Sequence, residues 1–112
     1  MFKIEKLKDI TWPVTVSVPR DGGNAVKATF TGKFKLLTSP EFNAIYNSGG
    51  SDEDLVRNVL TGWENNLCDE DGNPLEFNDE NLNLVATRTY IRTAIVSAYL
   101  ELSSGKKAGT KN

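Results

Sequence analysis

Hydrophobic and polar residues alternate over two stretches in the first third of the chain. From residue 10 to residue 18 every second position is apolar, and threonine or serine stands at most positions between. A second alternation runs from residue 26 to residue 36, with lysine and threonine on the intervening positions. A period of two is typical of a strand that buries one face. The segment Pro19-Arg20-Asp21-Gly22-Gly23-Asn24 between them holds the residue types that a chain reversal needs, so we predict an antiparallel β-hairpin or meander.

Two further features refine the predicted sheet. Pro13 has no backbone N–H to donate to a neighbouring strand, which favours an edge position for the first strand. Phe2 and Ile4 show the same alternation over a shorter length. They predict a third short strand close to the N-terminus.

After residue 38 the apolar spacing changes to three and four residues, which is typical of helices. Thr38-Ser39-Pro40-Glu41 predicts the start of a short helix that ends near residues 47–50. Ser51 and the acids after it predict a second helix, Asn78 predicts the cap of a third, and a fourth is predicted from about Thr89. The apolar positions assigned to these four helices, in order, are Phe42, Ile45 and Tyr46; Leu55, Val56, Val59, Leu60 and Trp63; Leu82 and Val85; and Tyr90, Ile91, Ala94, Ile95, Ala98, Tyr99 and Leu102.

The order of elements predicts an α+β fold, in which an N-terminal antiparallel β-hairpin or meander is followed by three to four short helices packed on one face. A chain of 112 residues is one domain, which buries roughly two thirds of its unfolded surface. We assign residues 1–102 to this single α+β domain. Residues 103–112 hold no apolar side chain larger than alanine, and we expect a flexible basic tail there.

Charge is distributed unevenly, although the formal net charge is only −2. Residues 1–35 carry seven basic and three acidic side chains, residues 41–81 carry one and eleven, and residues 82–112 carry five and one. The net charges of these segments are therefore +4, −10 and +4. The acidic middle is either an ordinary solvated surface or a patch that receives a basic partner or a second copy of this protein.

The residue types argue against most catalytic chemistry. There is no histidine, which removes the commonest general base and the commonest transition-metal ligand. The single cysteine, Cys68, stands beside acidic residues whose charge disfavours a thiolate. Asp69, Asp71 and Asn73 resemble part of a calcium loop, but Pro74 occupies the position where an EF-hand needs glycine, so a turn is favoured. We predict no catalytic residue, no cofactor and no metal.

Nucleic acid and membranes are also not expected as partners. The lysines of the second strand lack the interleaved exposed aromatic residues that stack on bases, so a solvated strand face is favoured. The N-terminus has no apolar run of the kind found in signal peptides, and no stretch is long enough to cross a bilayer. We therefore expect a cytoplasmic protein.

The order and spacing of motifs over residues 54–100 resemble those of the phage tail assembly chaperone family. In that family a helix ending in Gly-Trp leads to a loop that reads roughly Asp-Glu-x-Gly-x-Pro-x-x-Phe, and a helix pair follows. The matching segments here are Leu55-Val56-Arg57-Asn58-Val59-Leu60-Thr61-Gly62-Trp63-Glu64, Asp69-Glu70-Asp71-Gly72-Asn73-Pro74-Leu75-Glu76-Phe77-Asn78, Asn81-Leu82, Tyr90-Ile91-Arg92-Thr93-Ala94 and Ala98-Tyr99.

The resemblance implies a non-enzymatic protein that binds the tape-measure and tail-tube proteins of a long-tailed phage during tail assembly. Such a protein works in the host cell cytoplasm, is absent from the mature virion, and can associate with itself. An edge strand or an apolar groove would hold the client, and acidic residues would steer it. The acidic residues that we expect to contact clients are Asp52, Glu53, Glu64, Glu70 and Asp71.

Two other functions stay open from the sequence. One is a structural phage protein, such as a tail-completion or connector subunit, which would remain in the particle. The other is a small carboxylate- or metal-dependent enzyme, against which the absence of histidine argues. A nucleic-acid-binding module on the lysine-bearing strand is a weaker alternative.

Overall fold

The computed structural model describes residues 1–107 and has the predicted α+β architecture. Two long strands, β1 (Ile10–Pro19) and β2 (Ala25–Phe34), pair in antiparallel fashion across a single 3-10 turn. The register matches Val14 with Phe30 and Val16 with Ala28. Every second residue along β1 faces the core, as the alternation of the sequence predicts.

The third strand differs from the predicted one. Residues 1–8 form no strand, and β3 is instead Leu60–Trp63, which pairs antiparallel with β2 in the order β1-β2-β3. The sequence had predicted that Leu60 and Trp63 continue the buried stripe of the second helix. Gly62 disfavours a helix there, and the extended path lets Gly62 pair with Lys33 of β2.

The helices begin close to the predicted positions. They are α1 (Ser39–Asn47), α2 (Asp52–Val59), α3 (Asp79–Ala86) and α4 (Thr89–Ser103). Thr38 accepts a hydrogen bond from the backbone of Glu41, whose carboxylate accepts one from the backbone of Thr38 in return. This reciprocal cap satisfies two groups that a helix start otherwise leaves unpaired, and it lowers the pKa of Glu41.

The last helix passes the predicted end of the domain by one residue, because α4 ends at Ser103. A turn follows at residues 104–105. Residues 108–112 of the predicted flexible tail lie outside the described part of the chain.

The helices cover the apolar face of the sheet and form one core with it. Phe34 of β2, Leu55 of α2 and Ile95 of α4 are fully buried at its centre. Tyr99 of α4 packs between Phe34 and Phe42, and its hydroxyl accepts a hydrogen bond from the backbone of Leu37. The buried residues of this core are Val14, Val16, Phe30, Phe34, Leu55, Val56, Val59, Leu60, Trp63, Val85, Ala86, Ile95, Ala98, Tyr99 and Leu102.

The hairpin extends beyond this core. Val26 is 49% exposed and Ala28 is exposed, although the alternation had placed both on the buried face of the second strand. The reason is that β3 pairs only with residues 32–34 of β2, and the first turn of α4 covers the outer half only in part. The outer half therefore keeps an apolar side that is partly exposed.

Trp63 fastens the long loop between β3 and α3. Its Nε1 donates a hydrogen bond of 2.8 Å to the carbonyl of Leu75, and its ring packs edge-on against Phe77 with centroids 4.8 Å apart. At the tip of the loop, the Asp69 carboxylate accepts the backbone N–H groups of Asp71 and Asn73, which confirms a turn in this segment.

The core depends on Leu55 far more than on an exposed leucine. We expect Leu55→Ala to lower the free energy of unfolding by about 3 kcal/mol, because it removes buried methyl groups and leaves a cavity. Leu100→Ala is the matched control, since Leu100 is 48% exposed on α4, and its effect should be under about 0.5 kcal/mol. Urea denaturation of both variants measures this, and equal losses would contradict the description of the core.

Candidate functional site

The outer half of β2 has one edge that no strand within residues 1–107 covers. The Arg20 N–H donates a hydrogen bond of 2.8 Å to the Asn24 carbonyl, so these two even-numbered residues are a hydrogen-bonded pair. Hydrogen-bonded pairs alternate along an antiparallel ladder, and the backbone groups of the even-numbered residues of β2 therefore bond to β1. Odd-numbered residues bond towards β3, as shown by the 2.9 Å bond from the Glu64 N–H to the Thr31 carbonyl. Beyond Thr31, β3 has diverged from β2.

A side chain ends the pairing at this point. The amide oxygen of Asn66 accepts the backbone N–H of Thr31 at 3.0 Å, and its nitrogen lies 3.2 Å from the Thr31 hydroxyl. Among residues 1–107, none forms a hydrogen bond with the outward-facing backbone groups of Lys27 or Thr29. We call the backbone of residues 25–29 on this side the open edge.

The outer edge of β1 is protected by comparison. The same ladder points the odd-numbered residues of β1 away from β2, and two of these positions, Pro13 and Pro19, have no N–H to offer. Proline at outward-facing positions blocks the continuous ladder that another strand requires. The prediction that Pro13 marks an edge strand is confirmed, and the open edge of β2 is the better template for an added strand.

An apolar groove of about 360 Å³ lies beside the open edge. Its floor is the apolar face of the hairpin, and its walls come from the loop after β3 and the first turn of α4. Tyr90 lines the groove and is 38% exposed. Val26 of β2, which pairs with the groove residue Val18, is 49% exposed. The lining residues are Val16, Val18, Ala28, Thr29, Phe30, Asn66, Leu67, Cys68, Tyr90 and Ile91.

The groove and the open edge together suit an extended peptide. A strand that pairs with Lys27 and Thr29 would place alternate side chains on the groove side and on the lysine-bearing side. Main-chain hydrogen bonds would provide affinity, and the groove would select apolar residues at every second position. The arrangement therefore fits the binding of an extended segment with alternating apolar side chains.

The predicted acidic residues fall into three places. Asp52 and Glu53 open α2 and line a cavity of about 380 Å³ together with Tyr46, Ser51 and Arg92. Glu53 contacts Arg92 and also Arg57, each at 3.5 Å, so its charge is shared between two guanidinium groups. The pairs are partly exposed, and each stabilises the fold by at most about 1 kcal/mol.

Asp52 is engaged with a tyrosine of the neighbouring helix. The Tyr46 hydroxyl donates a hydrogen bond of 2.7 Å to the Asp52 carboxylate. Burial, the hydrogen bond and the charge of Asp52 raise the pKa of Tyr46 to about 12. This contact ties α1 to the start of α2, so Asp52 and Glu53 have structural partners within the chain.

The other three acidic residues lie on the loop side of the molecule. Glu64 follows β3 and lines a shallow cavity with Lys33, Trp63, Asn65 and Asn66. Glu70 and Asp71 lie in the turn after Cys68, and both are exposed. Cys68 lines the groove, so this acidic turn directly follows a groove wall. Whether any of the five acidic residues contacts a client stays a prediction.

Within residues 1–107, histidine, cysteine, aspartate and glutamate side chains form no group of three that could hold a metal ion. No helix in that range is long and apolar enough to cross a membrane. The exposed Cys68 thiol lies 3.3 Å from the carbonyl of Asn65.

The sequence had not predicted the open edge. It indicated an edge-bearing hairpin, but the position of β3 decides which half of β2 is uncovered, and β3 had been assigned to a helix. One signal was present: the apolar alternation of β2 continues through Ala28 and Val26, beyond the reach of a four-residue partner strand.

The chain was compared with protein-family models, with curated proteins and with solved structures, and none of the three comparisons found a match.

The Tyr46–Asp52 contact predicts a pH response. The Tyr46 pKa is raised from 10.0 to about 12, so its contribution to stability is fully present below pH 10 and is lost as the pH rises towards 12. Asp52→Asn removes the charge that resists ionisation, so the Tyr46 pKa should fall. Tyrosine ionisation followed by ultraviolet absorbance, with Tyr46→Phe to identify the signal, measures this. An unchanged titration in Asp52→Asn would contradict the contact.

Proposed function

We propose that this chain is a non-enzymatic protein-binding domain that acts as a phage tail assembly chaperone. The observation that carries the proposal is the open edge of β2 beside an apolar groove. A chaperone of this kind holds extended segments of aggregation-prone clients by lending them a strand partner. From the resemblance of residues 54–100 to the chaperone family we infer that the clients are the tape-measure and tail-tube proteins.

The loop motif of that resemblance has a physical role in the site. Trp63 holds the loop through Leu75 and Phe77, and the start of the same loop supplies Asn66 and Cys68 to the groove. The Gly-Trp pair therefore helps to build the wall of the proposed binding site. This connects the motif to binding and not only to packing.

The acidic turn gives the site a charge as well as a shape. Asp69, Glu70 and Asp71 follow the groove-lining Cys68 and contribute three negative charges at one end of the site. Long-range attraction would speed the encounter with a basic client segment, and salt would weaken that attraction. In this account Glu70 and Asp71 steer clients, while Asp52 and Glu53 lie at the α1–α2 junction.

A structural tail protein could use the same surface in a finished particle. Mass spectrometry of purified virions separates these two functions, because the chaperone is used during assembly and then released. Detection of this chain at a fixed stoichiometry in intact particles would favour the structural alternative.

A proline substitution tests the open edge directly. Lys27→Pro removes an outward-facing N–H that β1 does not use, just as Pro13 and Pro19 do in β1, so the hairpin should keep its fold. We expect affinity for co-expressed tape-measure and tail-tube proteins to fall at least about tenfold, since a main-chain hydrogen bond is lost and the ladder is blocked. Pull-down followed by titration calorimetry measures it.

Thr15→Pro is the matched control, because it places the same substitution at an outward-facing position of the other edge strand. Lys27→Gln controls for the lost charge. Both controls should bind clients as the unmodified protein does. A Glu70→Lys, Asp71→Lys variant should bind clients more weakly than the unmodified protein does. This loss of affinity should be larger at low salt than at high salt, because salt screens the attraction that the variant lacks. Unchanged binding by Lys27→Pro would overturn the strand-addition mechanism.

A further inference from the structure

The N-terminal arm, which we define as residues 1–8, presents large apolar side chains that the described residues of the same molecule leave exposed. Met1, Phe2 and Ile4 are 110%, 86% and 91% exposed. Phe2 and Ile4 alternate with Lys3 and Glu5, which is the pattern of a strand with one apolar face. The structure gives the arm no strand partner within residues 1–107.

The arm is fixed to the body at its far end. The carbonyl of Leu7 accepts the backbone N–H of Leu36 at 3.1 Å, and Asp9 accepts the Thr61 hydroxyl at 2.7 Å. From this anchor, Phe2 lies five residues away and can reach about 17 Å when fully extended. Phe2 and Ile4 therefore both lie within about 17 Å of Leu7.

The open edge is too far away for the arm of the same molecule. Thr29, the nearest residue of the open edge, lies seven residues along the chain from Leu36, which is about 23 Å at the rise of an extended strand, and Lys27 lies about 30 Å away. The arm of one copy therefore cannot pair with its own open edge, whereas the arm of another copy has no such restriction. Within residues 1–107 of one molecule, neither the arm nor the open edge has a strand partner, and the two are too far apart to pair with each other.

The charges of the two surfaces are complementary. The arm carries Lys3, Lys6 and Lys8 against Glu5, a net charge of +2. The acidic turn of residues 69–71 beside the groove carries −3. When Phe2 and Ile4 enter the groove, Lys3 and Glu5 lie on the opposite side of the added strand, which is the side that bears Lys27.

We propose that the N-terminal arm of one copy of this protein adds as a strand to the open edge of β2 in another copy, with Phe2 and Ile4 in the apolar groove. This self-association would use the same surface as the proposed function, but it does not require any phage client. Because only a few residues pair, the association is weaker than that of a standard interface burying roughly 1,600 Å². Clients and the arm then compete for one edge.

Cysteine cross-linking tests the geometry, because the groove already contains the exposed thiol of Cys68. We expect Ile4→Cys to form a disulfide between copies when oxidised glutathione is added, with residues 4 and 68 in one linked peptide by mass spectrometry. Ser48→Cys is the matched control, since it places an exposed thiol on the end of α1. Cross-linking of Ser48→Cys to Cys68 at the same rate would overturn the proposal.

Sedimentation equilibrium gives the second readout without a disulfide. The average mass of the unmodified protein should rise above 12.3 kDa with increasing concentration, and the Phe2→Asp, Ile4→Asp variant should remain at the monomer mass. Leu100→Asp changes an exposed leucine on α4 and should associate as the unmodified protein does. Equal association by the arm variant, or a strictly monomeric unmodified protein, would overturn the proposal.

Client binding by the arm variant separates this inference from the proposed function. If the proposed function holds, Phe2→Asp, Ile4→Asp binds clients at least as tightly as the unmodified protein, because the competing arm is removed. If that variant remains a monomer but binds no client, the self-association stands and the chaperone function falls.

Discussion

The backbone of β2 sets the main constraint on this molecule. Each strand residue has one N–H and one C=O that need partners, and β2 lies between two neighbours of very different length. On one side, β1 pairs with all ten residues from Ala25 to Phe34, and on the other side β3 reaches only residues 32–34. The core, the groove and the open edge all follow from this difference.

The covered half of β2 organises the core. Phe34 packs against Tyr99 of α4, and β3 brings Trp63 beside the same end of the sheet. Trp63 then holds the loop that supplies the groove wall, so a packing residue of the core also shapes the uncovered half. Folding and the proposed binding are connected here, because the loop that ends the β3 pairing at Asn66 also creates the site.

Much of this fold could be predicted from the sequence, since its local signals are strong. The alternation of residues 10–18, the Thr38 cap and the apolar spacing of α4 each act over a few residues and were confirmed. The assignment of residues 60–63 was wrong, because an amphipathic helix and a short buried strand share the same apolar residues. Gly62 disfavours a helix there, and the backbone of β2, a distant feature, supplies the partner that favours the strand.

The candidate site was harder to predict for the same reason. Its defining groups are the backbone N–H and C=O of Lys27 and Thr29, and a sequence pattern does not indicate whether a backbone group is paired. The five acidic residues were chosen by charge, and the structure separates them, with Asp52 and Glu53 bonded to Tyr46 and Arg92. A cluster of acidic residues in the sequence predicts a charged surface, whereas the position of the open edge depends on where β3 ends.

Amide hydrogen exchange followed by NMR tests the central claim most directly. The Phe2→Asp, Ile4→Asp variant at low concentration keeps a second copy away from the edge. In that protein the amides of Val26 and Ala28, which bond to β1, should exchange slowly, and those of Lys27 and Thr29 should exchange rapidly. Adding the tape-measure or tail-tube protein should slow the exchange of Lys27 and Thr29. Slow exchange at these two residues without a client, or fast exchange with a saturating client, would contradict the account.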